Sequence, residues 1–281
     1  MQDDCFVRQS IDDVPIRLKE AFDFGFMNCY GTVFRVLDAQ SSGNLCFGVE
    51  KAGRRYFVKF AGARTINDHD LSVEDAIARL KAAVPKYREL AHPLLTQLVA
   101  FEEAGGGFTF VFDWADHESI GDMNPASHKR FHLLPTAQKT AVFEKVLRFH
   151  EHVAKCGYVA IDFNDNSILY NFDNGEVMFC DIDFYAKQSY MNGMGSIFGF
   201  KPLMAPEEFR CAGLIDEVTN VYAMGATAFM LLAGYERSWE AWPLDTASYD
   251  VVKRATSDLR VHRQQSIEQF VREWKACAVK A

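Results

Sequence analysis

The patterning of the chain changes character near residue 115. Before it, short runs alternate apolar and polar residues; after it, apolar residues recur at helical spacing. Thr32–Asp38 alternates. Cys46–Glu50 and Tyr56–Phe60 flank Lys51-Ala52-Gly53-Arg54, the pattern of a hairpin with a glycine in its turn. Ser41-Ser42-Gly43-Asn44 ahead of it predicts a loop. Leu71–Ala83 predicts a helix, with Ser72 as N-cap and Glu74 and Asp75 in its first turn. Pro85 is expected to break that helix or to start a second short one through Ala91. Two more strand-like runs follow, Leu95–Phe101 and Phe108–Trp114, joined through Ala104-Gly105-Gly106-Gly107.

Beyond the change, Thr136–Lys155 has helical periodicity and stops at Gly157, a residue suited to a helix C-terminus. Ser167–Tyr170 and Val177–Cys180 are short β-like segments joined through Asn174-Gly175. Met191–Lys201, rich in Gly and Phe, predicts a loop, and Val218–Ala233 and Ser266–Ala278 predict helices. A chain of 281 residues suits one domain or two closely packed lobes. The expected division is 1–115 and 116–281, and the expected fold class is α+β. The 24 Phe residues carry no polar handle and are expected in the core.

Charge and cysteine usage narrow the function. The net charge of -8 lacks the basic footprint of a nucleic-acid binder and disfavours anionic lipid as a partner. ATP needs only a local positive site and a cation. The seven cysteines, Cys5, Cys29, Cys46, Cys156, Cys180, Cys211 and Cys277, are odd in number and scattered, so buried free thiols in a reducing compartment are expected. Met-Gln-Asp-Asp is not the basic start of a signal peptide, and the apolar run around Ala223–Ala233 is too short to span a bilayer. The expected location is cytoplasmic, with no membrane and no nucleic-acid partner. The eight His show no metal-ligand spacing.

Three polar groups stand out against apolar surroundings. Lys59 lies inside Tyr56-Phe57-Val58-Lys59-Phe60, where an ammonium is costly to bury without an anion. It either holds phosphate or lies on an exposed strand face. Asp162-Phe163-Asn164-Asp165-Asn166-Ser167 is polar and runs into an apolar segment. Asp181 directly follows Phe179-Cys180, and a carboxylate at the end of a strand suits a hard cation such as Mg²⁺. Turn formation also explains Asp and Asn at such places.

The order and spacing of these groups resemble the protein-kinase superfamily, in the manner of a divergent eukaryotic-like Ser/Thr kinase of bacteria. The family pattern is a Gly-rich loop, a strand Lys, a catalytic loop, a metal-binding Asp and an Ala-Pro-Glu motif. Lys59 matches the strand Lys, Asp162 the catalytic-loop Asp and Asp181 the metal Asp. Ala205-Pro206-Glu207 is the intact motif, and Val221-Tyr222-Ala223-Met224-Gly225 resembles the helix after it. Arg263 lies where the family's late Arg pairs with the motif's Glu, which implies a Glu207–Arg263 salt bridge. His92-Pro93 matches the dipeptide after the family's helix αC. Val111–Ala115 resembles the hinge, which implies adenine contacts at Asp113 and Ala115. The resemblance covers roughly residues 30–275. It implies a two-lobed protein-kinase-like fold, with a small antiparallel β-sheet lobe carrying helix αC and a larger helical lobe.

The pattern also departs. Gly43 and Gly48 stand where a full Gly-rich loop is usual and are the candidate phosphate-approach positions, with a plain β-turn as the other reading. Ala160-Ile161-Asp162 lacks the His and Arg that usually precede the Asp, so a loop-phosphorylation switch is not expected. Asn164 replaces the catalytic-loop Lys and Ser167 its Asn. Asp183 replaces the Gly of the metal-binding motif, adding a carboxylate that on a strand would face away from Asp181. Asn220 replaces the Asp that steadies the catalytic loop. Glu74 is the candidate partner of Lys59, with Glu89 as the alternative. The resemblance implies a phosphotransferase using ATP with Mg²⁺ or Mn²⁺, with Asp162 and Asn164 catalytic and Asp181, Ser167 and Asp183 at the metal. The acceptor is a hydroxyl of a protein or a small molecule. A pseudokinase scaffold and a small-molecule kinase are the alternatives.

Overall fold

The computed structural model describes residues 6–40, 42–67 and 72–278. Cys5, Ser41 of the expected loop and Leu71, the expected first residue of the helix, lie outside the described residues. The chain divides into two compact units. One holds the chain up to Ala91 together with Thr96–Asp116; the other holds His92–Leu95 and the chain from His117. The division falls one residue beyond the expected one, with His92–Leu95 as a detached piece of the second unit.

The first unit opens with a hairpin that the sequence reading missed, β1 (Val7–Ile11) and β2 (Val14–Leu18). Its five-stranded antiparallel sheet uses β3 (Thr32–Leu37), β4 (Leu45–Lys51), β5 (Arg54–Ala61), β6 (Leu98–Ala104) and β7 (Gly107–Asp113), in the order β3-β4-β5-β7-β6. The turn between β4 and β5 is Ala52-Gly53, with φ 52° and 75°, as a tight two-residue hairpin requires. The last two strands lie about three residues from the expected 95–101 and one from 108–114.

Each face of this sheet is covered. Helix α1 (Val73–Glu89) begins at Ser72, whose hydroxyl accepts from the Asp75 amide at 3.0 Å. It buries Ala76, Leu80, Ala83 and Tyr87, and Tyr87 packs edge-on against Phe110 and Phe112 at 5.6 and 5.0 Å. The expected break at Pro85 does not occur. Pro85 is on the exposed side, so the hydrogen bond it forgoes is to the exposed Lys81, while Ala83 and Tyr87 hold the helix to the sheet on both sides of it. The opposite face packs Phe47, Val49, Val58 and Phe60 against Ile16 and Leu18 of β2 and against Phe24 and Met27. Much of the phenylalanine surplus is here: Phe26 meets Phe60 at 4.8 Å and Phe24 meets Phe47 at 5.9 Å.

The second unit is mainly helical: α2 (Pro125–His132), α3 (Thr136–Lys155), α4 (Glu217–Ala233), α5 (Thr246–Ala255) and α6 (Ile267–Ala278). Neither α2 nor α5 was expected. Helix α4 is buried on every side from Thr219 to Leu232 and mostly apolar, and α3, α5 and α6 pack around it, which is how such a helix is kept from water. The short strands of this unit are β8 (Glu118–Ser119), β9 (Tyr158–Val159), β10 (Ile168–Tyr170), β11 (Val177–Phe179), β12 (Ala186–Lys187), β13 (Tyr190–Met191) and β14 (Leu214–Ile215). They form the antiparallel groups β11-β10-β8, β12-β9 and β13-β14. His92–Leu95 docks on β11: the Leu94 carbonyl accepts from the Phe179 amide at 2.6 Å and Leu95 bridges Phe179.

Among the described residues no helix is long and apolar enough to cross a membrane. None of the six described cysteines is in a disulfide. Cys46 and Cys277 are buried as expected, but Cys29 and Cys211 are exposed.

Candidate active site

In the second unit, two carboxylates are set out on loops held by α4 and by short strands. β9 leads into Ala160-Ile161-Asp162. Asn220 of α4, wholly buried, holds that approach: its Oδ1 accepts from the Ala160 amide at 2.7 Å and its Nδ2 donates to the Tyr158 carbonyl at 3.1 Å. An Asp here accepts only. The amide both accepts and donates, so the replacement keeps the loop fastened.

Asp162 follows, half-exposed, with φ 62°. Asn164 Nδ2 donates to the Asp162 carbonyl at 2.9 Å and lies 3.4 Å from its Oδ1, while Asn164 Oδ1 accepts from the Asn166 amide at 2.9 Å. Asn164 therefore shapes the loop and touches the carboxylate. Ser167 is buried, and its carbonyl accepts from the Cys180 amide at 3.0 Å, tying this loop to the end of β11.

Asp181 stands one residue past that tie, exposed, with φ 58°. Positive φ is uncommon outside glycine, and such backbone strain gathers at functional sites. Asp162 and Asp181 both have it. Asp183 goes the other way. The strand stops at Phe179, the chain turns with the Tyr185 amide donating to the Ile182 carbonyl at 3.1 Å, and Asp183 is only 3% exposed. A turn, not a strand pleat, separates the two carboxylates. Burial, then the negative charge of Cys180, Asp181 and Asp162, pushes the Tyr185 hydroxyl pKa well up.

The Ala-Pro-Glu segment is anchored by a buried ion pair. Arg263, fully buried, meets Glu207 through two bonds, Nη1 to Oε1 at 2.7 Å and Nη2 to Oε2 at 2.9 Å. Burial pushes Glu207 up, but the Arg263 hydrogen bonds and charge hold it below the usual carboxylate range. Sequence reasoning missed Arg260, which also reaches Glu207 and joins Asp216 at 2.6 Å. It also missed Glu208. This residue is 4% exposed, accepts from the Ala205 amide at 2.6 Å, and is pushed up to about 7 by burial together with the charges of Glu207 and Asp162. Neither residue stands out by spacing: Arg260 and Glu208 sit beside the residues that carry the pattern.

In the first unit, Lys59 is 6% exposed. It lies in register with Cys46 on β4 and Phe110 on β7, which puts it on the sheet face that α1 covers. The exposed-strand reading of Lys59 is thereby excluded. Glu74 is exposed on the first turn of α1, and Glu89, the last helical residue, is exposed as well. Gly43 has φ 75° in the loop before β4. Gly48 is inside β4, and a Cβ there would meet the Phe34 ring at 2.6 Å and the Trp114 ring at 2.9 Å. Its lack of a side chain accommodates that aromatic packing. Asp113 ends β7, its amide donates to the Gln97 carbonyl at 3.2 Å, and its carboxylate pairs with Arg54 at 3.2 Å. Ala115 is half-buried beyond it.

Among the described residues no group of three or more His, Cys, Asp or Glu is placed to hold a metal. Mg²⁺ seldom needs one, since one or two carboxylates and substrate phosphates complete its shell. The exposed Asp181 fits that role. The buried Asp183 and Ser167 do not present themselves as ligands. No family model matches the chain, and no curated protein matches it.

Proposed function

We propose that this chain is an ATP-dependent phosphotransferase, organised as a divergent Ser/Thr-type protein kinase. The observation that carries the reading is the pair Asp162 and Asp181. Both have positive φ, the loop of Asp162 is fastened by Asn220, and it is tied to the residue before Asp181 by the Cys180 amide donating to the Ser167 carbonyl at 3.0 Å. Phosphoryl transfer asks little covalent work of a protein and much positioning. Asp162 would orient the acceptor hydroxyl and take its proton. Asn164 would keep the Asp162 carboxylate in place. Asp181 would hold the cation that accompanies ATP, and Lys59 would hold phosphate oxygens. Magnesium, when bound, supplies neutralisation of the phosphate charge.

The pseudokinase reading draws on one observation, the burial of Asp183 and Ser167, which leaves Asp181 as the exposed carboxylate on its loop. Titration of the protein with ATP, with and without Mg²⁺, tests the shared premise. The reading expects Mg²⁺-dependent binding that Asp181→Asn weakens at least about tenfold. Equal binding with and without Mg²⁺, or no binding, contradicts it.

A further inference from the structure

The end of α4 adopts a backbone that a bulky side chain rarely takes. Gly234 closes the helix at φ 58°, and the next residue, Tyr235, also has positive φ, 72°. Its hydroxyl donates to Asp165 Oδ2 at 2.7 Å. Asp165 is 3% exposed and opens the short 3-10 turn Asp165–Ser167, which joins Asp162 to β10. Burial pushes the Asp165 carboxyl up, and the Tyr235 hydrogen bond works against it. Asn166 Nδ2 lies 3.4 Å from Asp165 Oδ1, and His128 Nδ1 lies 3.8 Å from Oδ2. His128 is engaged elsewhere, 2.9 Å from the Ile120 carbonyl, and Asp122 binds Asn166. The tightest anchor of Asp165 is therefore a strained residue from a distant part of the chain.

Resting on the phosphotransferase reading, we propose that Tyr235 is a positioning residue, whose left-handed backbone aims its hydroxyl at Asp165 and so sets the loop that carries Asp162. Helix α4 and its end then hold that loop twice: Asn220 binds the backbone before Asp162, and Tyr235 binds the side chain after it. No proton of the reaction passes through the pair. Tyr235 acts through Asp165 on the geometry of Asp162.

Two substitutions separate this role from simple packing. Tyr235→Phe keeps the ring and the backbone and removes only the hydroxyl. Asp165→Asn keeps an oxygen that can accept from that hydroxyl. Amide hydrogen exchange over residues 160–167 and the steady-state turnover of Mg·ATP are measured for both. Losing one buried hydrogen bond should speed exchange in that loop about tenfold in Tyr235→Phe and lower kcat about as much, with KM for ATP unchanged. Asp165→Asn should stay within about threefold of wild type on both counts. Tyr235→Phe matching wild type in loop exchange overturns the proposal, as does Asp165→Asn doing equal damage. Wild-type protein that turns over no ATP counts against the phosphotransferase reading instead, and the exchange contrast still decides whether Tyr235 holds the loop.

Discussion

Arg263 closes on Glu207 through two parallel hydrogen bonds, 2.7 and 2.9 Å, with both side chains withdrawn from water. A buried pair of this kind is expensive to break from one side, and Arg263→Ala leaves the buried Glu207 to Arg260 alone. Arg263→Ala should therefore destabilise the second unit by about 3–5 kcal/mol, read from the urea midpoint. The folded-state pKa of Glu207 is depressed, so its contribution is present above the ordinary carboxylate range and is lost as pH falls through the lower folded value. The gap between wild type and the variant should narrow on acidification. A gap independent of pH contradicts the assignment.

Asn220 makes a second testable hold. Asn220→Ala removes the side-chain bonds to the Ala160 amide and the Tyr158 carbonyl, both of buried residues. Each such group costs about 1–3 kcal/mol, so a loss of a few kcal/mol is expected by chemical denaturation. Asn220→Asp keeps the acceptor and loses the donor, and should fall between the two. A fully wild-type alanine variant would show that the loop is held by other means.

Glu208 has the opposite sign to Glu207. Its pKa is raised to about 7, so the folded chain prefers the protonated form and loses stability as pH climbs from the unfolded value through the folded one. Glu208→Gln keeps an oxygen for the Ala205 amide and removes the charge. At pH 8 the variant should be more stable than wild type by on the order of 2 kcal/mol, and by much less at pH 5. Thermal melts at the two pH values decide it, and a variant less stable than wild type at pH 8 would reverse the account.

Gly48 is predicted to matter through packing. A Cβ at this position meets the rings of Phe34 and Trp114, themselves packed edge-on at 5.0 Å. Gly48→Ala should cost about 1–3 kcal/mol, as overpacking does. Phe34→Ala in the same chain should recover part of that loss. Recovery separates a steric cause from a backbone one.

Period and punctuation made much of the fold legible. Helix α3 runs over Thr136–Lys155 as its spacing predicts, Ser72 caps α1, and the Ala52-Gly53 turn sits between the strands it was expected to join. Helix α1 ran through Pro85 because tertiary packing of Ala83 and Tyr87 outweighed the local signal. Hairpin β1–β2 was missed because much of what holds it is distant: Arg17 of β2 binds Asp38 at 2.7 Å, 21 residues away. The candidate site offers Lys59, Asp162 and Asp181 by residue type alone. It was not legible where burial decides the role. Asp183 reads as a second metal carboxylate, yet it is buried by a turn that no residue pattern announced. Tyr235 and Arg260 act through partners 70 and 53 residues away in sequence, and spacing along the chain is silent about those.

The central claim concerns Asp162 and Asp181, and phosphate transfer tests it most directly. Purified protein is incubated with Mg²⁺ and γ-labelled ATP, alone and with a generic basic protein, beside Asp162→Ala and Asp181→Ala. The account predicts label in protein or released as phosphate for wild type, reduced at least about a hundredfold by either substitution, the scale on which positioned acid–base groups act. Transfer that persists in both variants contradicts it.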